Sequence, residues 1–370
     1  MAFTAQDERF MRRALALARR GQGRVEPNPM VGAVVVRNGR IVGEGYHRRY
    51  GEAHAEPNAL AAAGAKTRGA TVYVTLEPCC HFGKQPPCTN ALIAAGVRRV
   101  VAAMVDPFAA VAGKGLKKLR AAGIATDVGL LRDEAADLLA PFINRITLRR
   151  PYVIAKWAQS LDGSIATASG ESKWISSEES RLDVQKLRGR VDAILVGIGT
   201  ALADNPYLMA RPENSRDIKR IATRIVLDSQ CRLPLDSQLV RTVAFAPVMV
   251  ACAANLTGAA AKRRNTLASR GIMIVELPRT KSSLNLKLLL QKLAAQEYAN
   301  IMVEGGAHVH ASFLNAGLVD EAQIYIAPKI LGGRSAIAGL AVNKLAQAPH
   351  CRIVATERFG PDLKLTLRLT

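Results

Sequence analysis

The chain has 370 residues, 49% of them apolar and 22% charged, a composition that excludes a disordered protein and a length that favours two cores over one. Lys and Arg outnumber Asp and Glu by 51 to 30, and the net charge of +21 suits phosphorylated substrates, phosphate-bearing cofactors, nucleic acid or merely a solvated cationic surface. No dense basic arm with interleaved aromatics is present, which argues against nucleic acid, and no apolar run approaches the roughly 20 residues of a membrane-spanning helix.

In chain order, MAFTAQDERFMRRALALARR predicts an amphipathic helix ending at Arg20; Asp7, Glu8 and the lack of a central apolar block set it apart from a signal peptide. The alternating run VGAVVVRNGRIVGEGY holds Asn38-Gly39, a strong hairpin signal, so its two strands are expected to be antiparallel. A helix from about His54 to Ala63, the strand TVYVTLEP, a helix over Ala91 to Ala95, the strand RRVVAAMVDP, and a helix from Lys114 to Ala122 before a short strand predict a three-layer α/β sandwich. The pattern resets around Arg149-Arg150-Pro151, so the boundary is expected between residues 145 and 151, dividing the chain into domains 1–146 and 147–370. The second α/β domain shows the strands YVIAKWA, DAILVGI, TRIVLD, PVMVACA, NIMVEGG and AQIYIAPK, with helices over Glu178 to Arg188 and Leu284 to Ala295. Neither an internal repeat nor a low-complexity tract is visible.

Three of the six cysteines, Cys79, Cys80 and Cys88, sit within ten positions, which is metal-site spacing and implies a reducing compartment, the cytoplasm. With His54, Cys79 and Cys88 supply three positions of a tetrahedral zinc site. In a catalytic site the fourth position holds water, whose pKa the metal lowers to about 7. Glu56, two residues past His54, is placed to shuttle the proton from that water to a leaving amine, the logic of a deaminase. Zinc deaminases generally carry H-x-E with P-C-x-x-C; here HFGKQPP lengthens the cysteine spacing and brings extra side chains beside the metal. The alternatives are a closed structural site with Cys80 as fourth ligand, or cysteines that only pack.

In the second domain VDAILVGIGTALADNP reads as strand, glycine turn and polar loop, without the third glycine or the acidic residue of a Rossmann fingerprint. NIMVEGGAHVHASFLNAGL reads as a strand ending at Glu304, a Gly305-Gly306 turn and a helix beginning near Val309, which is either an anion site or a tight turn.

The motifs PNPMVGAVVV, GEGYH, GEAHAE, YVTLEPCCHFGKQPPC and DPF, followed by SLDG, SGESKWI, GTALADNP, VEGGAHVHASF and APKILGG, span nearly the whole chain. In them the sequence resembles the bifunctional riboflavin-biosynthesis enzymes that join diaminohydroxyphosphoribosylaminopyrimidine deaminase to aminouracil-phosphate reductase. The resemblance implies a cytidine-deaminase-like three-layer α/β/α sandwich followed by a dihydrofolate-reductase-like α/β domain. It implies His54, Cys79 and Cys88 as ligands of one zinc ion per chain, Glu56 as the catalytic proton shuttle, and substrate contacts at Asn28, His47, His81, Lys84 and Asp106. In the reductase half it implies NADPH contacts at Ala158, Trp174, Thr200, Asp204, Ser229, Gly306, Ala307, His308, Val309, His310, Ala311 and Ser312. Substrate contacts there would be Ser172, Arg188, Leu208, Arg211 and Glu304; Lys156 and Asp162 carry no assigned role. The partner it implies is a small phosphorylated pyrimidine, with neither nucleic acid nor membrane involved and the enzyme a homo-oligomer.

Three positions depart from the family pattern: Cys80 stands for a serine, Pro57 for an apolar β-branched residue and Phe108 for an asparagine. The last removes a hydrogen-bonding group from the ribose-phosphate end of the expected substrate. Rival readings are a nucleic-acid base deaminase, against which the second domain argues, and a zinc-stabilised scaffold, for which Glu56 would be dispensable.

Overall fold

In the computed structural model, which describes residues 3–211, 218–280 and 284–369, the leading apolar stripe folds as helix α1 (Ala5–Ala18). Thr4 and Asp7 close a reciprocal capping box at its start, and Phe10, Met11, Ala14 and Leu15 are buried. Strands β1 (Gly32–Arg37) and β2 (Arg40–Tyr46) follow as an antiparallel hairpin. Its turn residues Asn38 and Gly39 both have positive φ, 51° and 71°, the backbone that a two-residue type I′ turn needs.

Next come α2 (Ala55–Ala63), β3 (Thr71–Val74), α3 (Cys88–Ala94), β4 (Arg99–Ala102), α4 (Lys114–Ala121), β5 (Ala125–Val128) and α5 (Arg132–Thr147). The sheet order is β2-β1-β3-β4-β5. Period-2 alternation sorts the strand residues between two cores. Ala33, Val35, Val72, Val74, Val100 and Ala102 pack with Leu60, Leu92, Leu116 and Leu119 from α2, α3 and α4. Val34, Val36, Tyr73 and Val101 pack with Phe10, Met11 and Leu15 of α1 and Ala135 of α5. The three expected layers are therefore present. Two details differ from expectation: α3 begins at Cys88 and not Ala91, and α5, which the sequence reading did not name, runs through residue 146.

Contacts divide the chain between Arg150 and Pro151. The second unit contains β6 (Tyr152–Ser160), β7 (Ser164–Ala166), α6 (Glu178–Arg188), β8 (Ala193–Gly197), α7 (Ile198–Asp204), β9 (Thr223–Leu227), α8 (Gln238–Arg241) and β10 (Val248–Ala253). It continues with α9 (Gly258–Ser269), β11 (Met273–Leu277), α10 (Leu286–Ala295), β12 (Asn300–Gly305), α11 (Ala307–Asn315), β13 (Glu321–Ala327), β14 (Arg334–Ser335), β15 (Cys351–Phe359) and β16 (Asp362–Leu369). Its main sheet runs β11-β10-β9-β8-β12-β6-β13-β16-β15, parallel through β13 and antiparallel beyond. Val153, Leu195, Ile225, Ala251, Ile301 and Val303 bury one face of it against α10 and α11. The segment after Gly197 is helix α7 and not the polar loop expected: Ile198 and Ala201 are buried, and that apolar pair outweighs the turn signal of the glycines. Among the described residues no helix is long and apolar enough to cross a membrane.

Strand β12 lies between β8 and β6, so the chain reverses its direction of travel across the sheet there, and the carboxyl ends of these three strands share one edge. Crevices at such a reversal are where open parallel sheets bind ligands.

Candidate functional site

In the first unit the site begins with a glycine device in β2. A Cβ on Gly43 or Gly45 would collide with the backbone of Ala59 in α2, so these glycines let that helix lie directly on the strand. The start of α2 is thereby fixed, with His54 as its N-cap and Glu56 in its first turn beside Pro57, which is tolerable there because early helical N–H groups lack partners. Cys79 follows β3, and Cys88 is the first residue of α3.

These three elements bring His54 Nδ1 within 3.3 Å of Cys88 Sγ and 3.6 Å of Cys79 Sγ. Tetrahedral zinc with ordinary Zn–N and Zn–S bonds requires its nitrogen and sulfur ligands about 3.6 Å apart, so the trio fits a single ion. Among the described residues it is the one group of three or more such side chains close enough to hold a metal. Cys80 stands outside it, its thiol directed at the Ala110 carbonyl 3.8 Å away, so it does not fill the fourth position. The thiols divide their protons unequally: the Cys88 hydrogen bond pulls Cys79 down to about 4, while the same contact, with burial, pushes Cys88 up. The bond to Cys79 raises His54. A donor set with one ionised and one protonated thiol beside an imidazole is one that a divalent cation stabilises by displacing the proton.

Glu56 is 3% exposed, and burial first, then the Cys79 charge, raises its carboxyl to about 7. It lines a cavity of about 230 Å³ together with His54 and Cys79. All five residues predicted to contact substrate, Asn28, His47, His81, Lys84 and Asp106, line the same cavity. His47 Nδ1 donates to the Ala53 carbonyl at 3.1 Å, leaving Nε2 to accept from Asn28 Nδ2 at 3.3 Å; burial lowers the His47 pKa and favours this neutral ring. Asn28 Oδ1 is thereby left for a ligand. The Lys84 ammonium sits 3.9 Å from the centre of the Tyr50 ring. Asp106, raised by burial to about 6, accepts from Phe108 N at 2.8 Å. Glu77 accepts from the backbone N–H groups of Asp106, Gly113 and Leu116, tying the loop after β4 to the zinc-ligand loop. The Phe108 ring packs 5.6 Å from the His81 ring, an aromatic contact where the family pattern has an amide. Sequence reasoning missed Tyr50, Phe142, Arg145 and Ile146 in the cavity wall; the last three come from α5, and an i, i+3, i+4 reading of that helix would have found them.

In the second unit Thr200, Ser229 and Gly306 follow the carboxyl ends of β8, β9 and β12. Gly306 caps α11, and a Cβ placed on it would lie 3.3 Å from Thr200 Oγ1 of α7, so these two helix starts flank one cradle that a side chain would fill. That narrow, glycine-lined opening over the first N–H groups of α11 fits a cofactor diphosphate. Ala158 belongs to β6, and Ser229, beyond β9, accepts from Ala253 N at 3.2 Å. Trp174 is 61% exposed, its ring covered by the Arg181 guanidinium at 4.7 Å. Asp204, His308, Ser172 and Arg211 are exposed, whereas Leu208, His310 and Ala311 are buried. His310 packs 5.2 Å from the Trp157 ring, and burial lowers it to about 4.

Arg188 and Glu304 meet each other in a bidentate pair, Nε to Oε1 and NH2 to Oε2, both at 2.7 Å. Burial alone would raise Glu304, but the guanidinium overrides it and holds the carboxyl low. Lys156 is close enough to feel both charges, and burial lowers its pKa. Asp162 accepts four hydrogen bonds, from Ser160 and Ser164 hydroxyls and from Leu331 and Gly332 N–H groups. It therefore pins the β6–β7 turn to the segment after β13.

Residues 4–104 match the cytidine and deoxycytidylate deaminase zinc-binding region, and residues 151–365 match the RibD C-terminal domain. The riboflavin biosynthesis protein RibD of Aquifex aeolicus is 43% identical over 359 residues, covering 96% of this chain and 97% of the relative. Its counterpart from Escherichia coli is 44% identical over 379 residues, with 98% and 99% coverage. Among solved structures, Acinetobacter baumannii RibD superposes with a TM-score of 0.85 at 37% identity over 99% of each chain. A Thermotoga maritima protein described as a diaminohydroxyphosphoribosylaminopyrimidine deaminase and 5-amino-6-(5-phosphoribosylamino)uracil reductase gives 0.84 at 34% identity, again over 99% of each chain.

Proposed function

The chain belongs to the riboflavin biosynthesis protein RibD family, and from that premise we propose which of its residues carry the two reactions. It is a bifunctional enzyme: a zinc-dependent deaminase hydrolyses the amine of the diaminopyrimidinone ribosylamino 5′-phosphate, and an NADPH-dependent reductase converts the ribosyl group of the product to ribityl. We assign the first to residues 1–150 and the second to 151–370, a few residues beyond the boundary expected at 146, because α5 runs through that point.

Zinc, when held by His54, Cys79 and Cys88, supplies the Lewis acidity that lets water ionise at neutral pH. The remaining work falls to side chains. Glu56, on the cavity wall two residues beyond His54, takes the proton from the attacking water and delivers it to the departing amine. Asn28, its amide nitrogen engaged by His47, turns Oδ1 to an N–H of the pyrimidine. Asp106 and His81 complete the ring contacts, and Lys84 faces the anionic end of the substrate.

In the reductase, NADPH supplies the hydride. The first turn of α11 and Gly306 receive its diphosphate, with Thr200 and Asp204 of α7 alongside, Ala158 near the end of β6, Ser229 just beyond β9, and Trp174 from the turn before α6. Because Arg188 spends two of its donors on Glu304, its part at the ribose phosphate rests on the guanidinium edge that remains, with Arg211 and Ser172 at the surface. The enzyme works in the cytoplasm as a homo-oligomer on a small phosphorylated pyrimidine, with neither nucleic acid nor membrane as partner; six free cysteines suit that compartment.

One observation carries the reading: a three-ligand metal cluster and a buried glutamate share a cavity with every residue expected to hold the pyrimidine. The test is to give the zinc-loaded protein the aminopyrimidine substrate and follow ammonia release and NADPH oxidation separately. Ammonia should appear without NADPH, and NADPH consumption should depend on the deaminated product. A zinc-loaded protein that releases no ammonia would overturn the assignment.

A further inference from the structure

We propose that Arg145 binds the phosphate of the pyrimidine substrate in the deaminase cavity, an inference that rests on the deaminase reading above. Helix α5 reaches the cavity through Phe142, Arg145 and Ile146, which share one face because residues three and four apart stack on a helix. The helix is anchored there: Leu139 and Phe142 are buried on Leu76, and Ile143 and Ile146 pack against the same cluster. Leu76 lies three residues before Cys79, so the anchor ties Arg145 to the segment that carries a metal ligand.

Among the described residues Arg145 makes no hydrogen bond or ion pair, and its buried Nε has no partner at all. Arg145 is half-buried, and its Nε, closed off from solvent on the cavity wall, is an unsatisfied donor, an unfavourable state because buried donors are ordinarily paired. The carboxylates lining the cavity, Glu52, Glu56, Glu77 and Asp106, do not pair with it. That donor is open to a partner brought into the cavity, and the one strong anion the substrate carries is its phosphate. A guanidinium suits it, because its planar fork can meet two phosphate oxygens at once. The rest of the wall offers few rivals: His47 is engaged by Asn28 and the Ala53 carbonyl, and Phe108 has no side-chain donor. Lys84 and Arg145 are the two cations left to receive a dianion.

The experiment uses the full chain loaded with zinc, unaltered and as Arg145→Gln and Arg145→Lys. Ammonia release is measured with the phosphorylated substrate and with its dephosphorylated riboside, and ribose 5-phosphate is added as a competing inhibitor. Arg145→Gln should raise KM for the phosphorylated substrate about ten- to hundredfold while leaving kcat nearly unchanged, the range expected for losing a hydrogen bond between charged groups. Turnover of the riboside should not change, ribose 5-phosphate should stop inhibiting, and Arg145→Lys should recover part of the loss. NADPH oxidation with pre-deaminated substrate should be unaffected, which reports an intact chain. An equal fall for both substrates, or retained inhibition by ribose 5-phosphate in Arg145→Gln, would overturn the proposal. Failure of the unaltered protein to release ammonia would instead sink the deaminase reading itself.

Discussion

Replacing Glu304 by Gln keeps the shape of its side chain and removes its charge, leaving Arg188 and Lys156 together in a buried cluster with no counter-charge. Arg188 and Glu304 side chains are 17% and 9% exposed, so water cannot substitute for the lost partner. Opposite charges about 4 Å apart at an effective dielectric of about 20 attract by about 4 kcal/mol. Orphaning one member of a buried pair typically costs about 3–5 kcal/mol, which agrees. For a unit of this size each kcal/mol lowers the melting temperature by roughly 2–4 °C, so the transition of unit 151–370 should fall by about 6–20 °C. Calorimetry of the whole chain resolves this, because the transition of unit 1–150 should stay in place. The double change Arg188→Met with Glu304→Leu should recover part of the loss, since an apolar pair needs no compensation while Lys156 lacks its counter-charge in both variants. If Glu304→Gln moves the transition by less than about 2 °C, or the double variant melts below the single one, the pair is not the buried electrostatic unit described here.

Glu56→Gln should abolish ammonia release while reduction of pre-deaminated substrate continues at the unaltered rate; parallel loss of both activities would contradict two independent sites. Cys88→Ser should lower the zinc retained after dialysis and Cys80→Ser should not, as metal analysis of the two variants will show. His310, lowered by burial to about 4 from an ordinary value near 6.5, remains neutral in the fold at a pH where the unfolded chain binds a proton. Its contribution is therefore intact above about pH 6.5 and is lost progressively as the pH falls towards 4, by about 3 kcal/mol in all. Urea unfolding of His310→Leu across that window should show a shallower decline in the second unit's stability than the unaltered chain, and identical slopes would refute the assignment.

The zinc trio and Glu56 were legible because their chemistry is local: His54 and Glu56 share one helix start, and Cys79 and Cys88 bracket one loop. The β1–β2 hairpin was legible for the same reason, through Asn38-Gly39. Helix α5 was not read, although Phe142, Arg145 and Ile146 keep helical spacing, because Pro141 inside it counts against a helix and the basic stretch after it reads as a boundary; with the helix went Arg145 and the apolar wall beside it. The β15–β16 hairpin escaped notice because β15 is exposed along most of its length and carries no alternation of buried and solvated positions. Segment α7 was misread since its two glycines mimic a turn, while the burial of Ile198 and Ala201 that makes it helical depends on distant partners. The Arg188–Glu304 pair joins residues more than a hundred positions apart, and no local pattern encodes such a partnership.

Strand β12 is wedged between β6 and β8, yet both neighbours leave the ribosome long before it does. Until it emerges, β8 presents one open edge of unpaired peptide groups and β6, whose other neighbour β13 comes later still, presents two, the kind of surface on which growing chains stick to one another. The nascent reductase half is thus exposed for most of its translation, and joining its two parts waits for a late strand to thread into the middle of the sheet, with β13 then covering the far edge of β6.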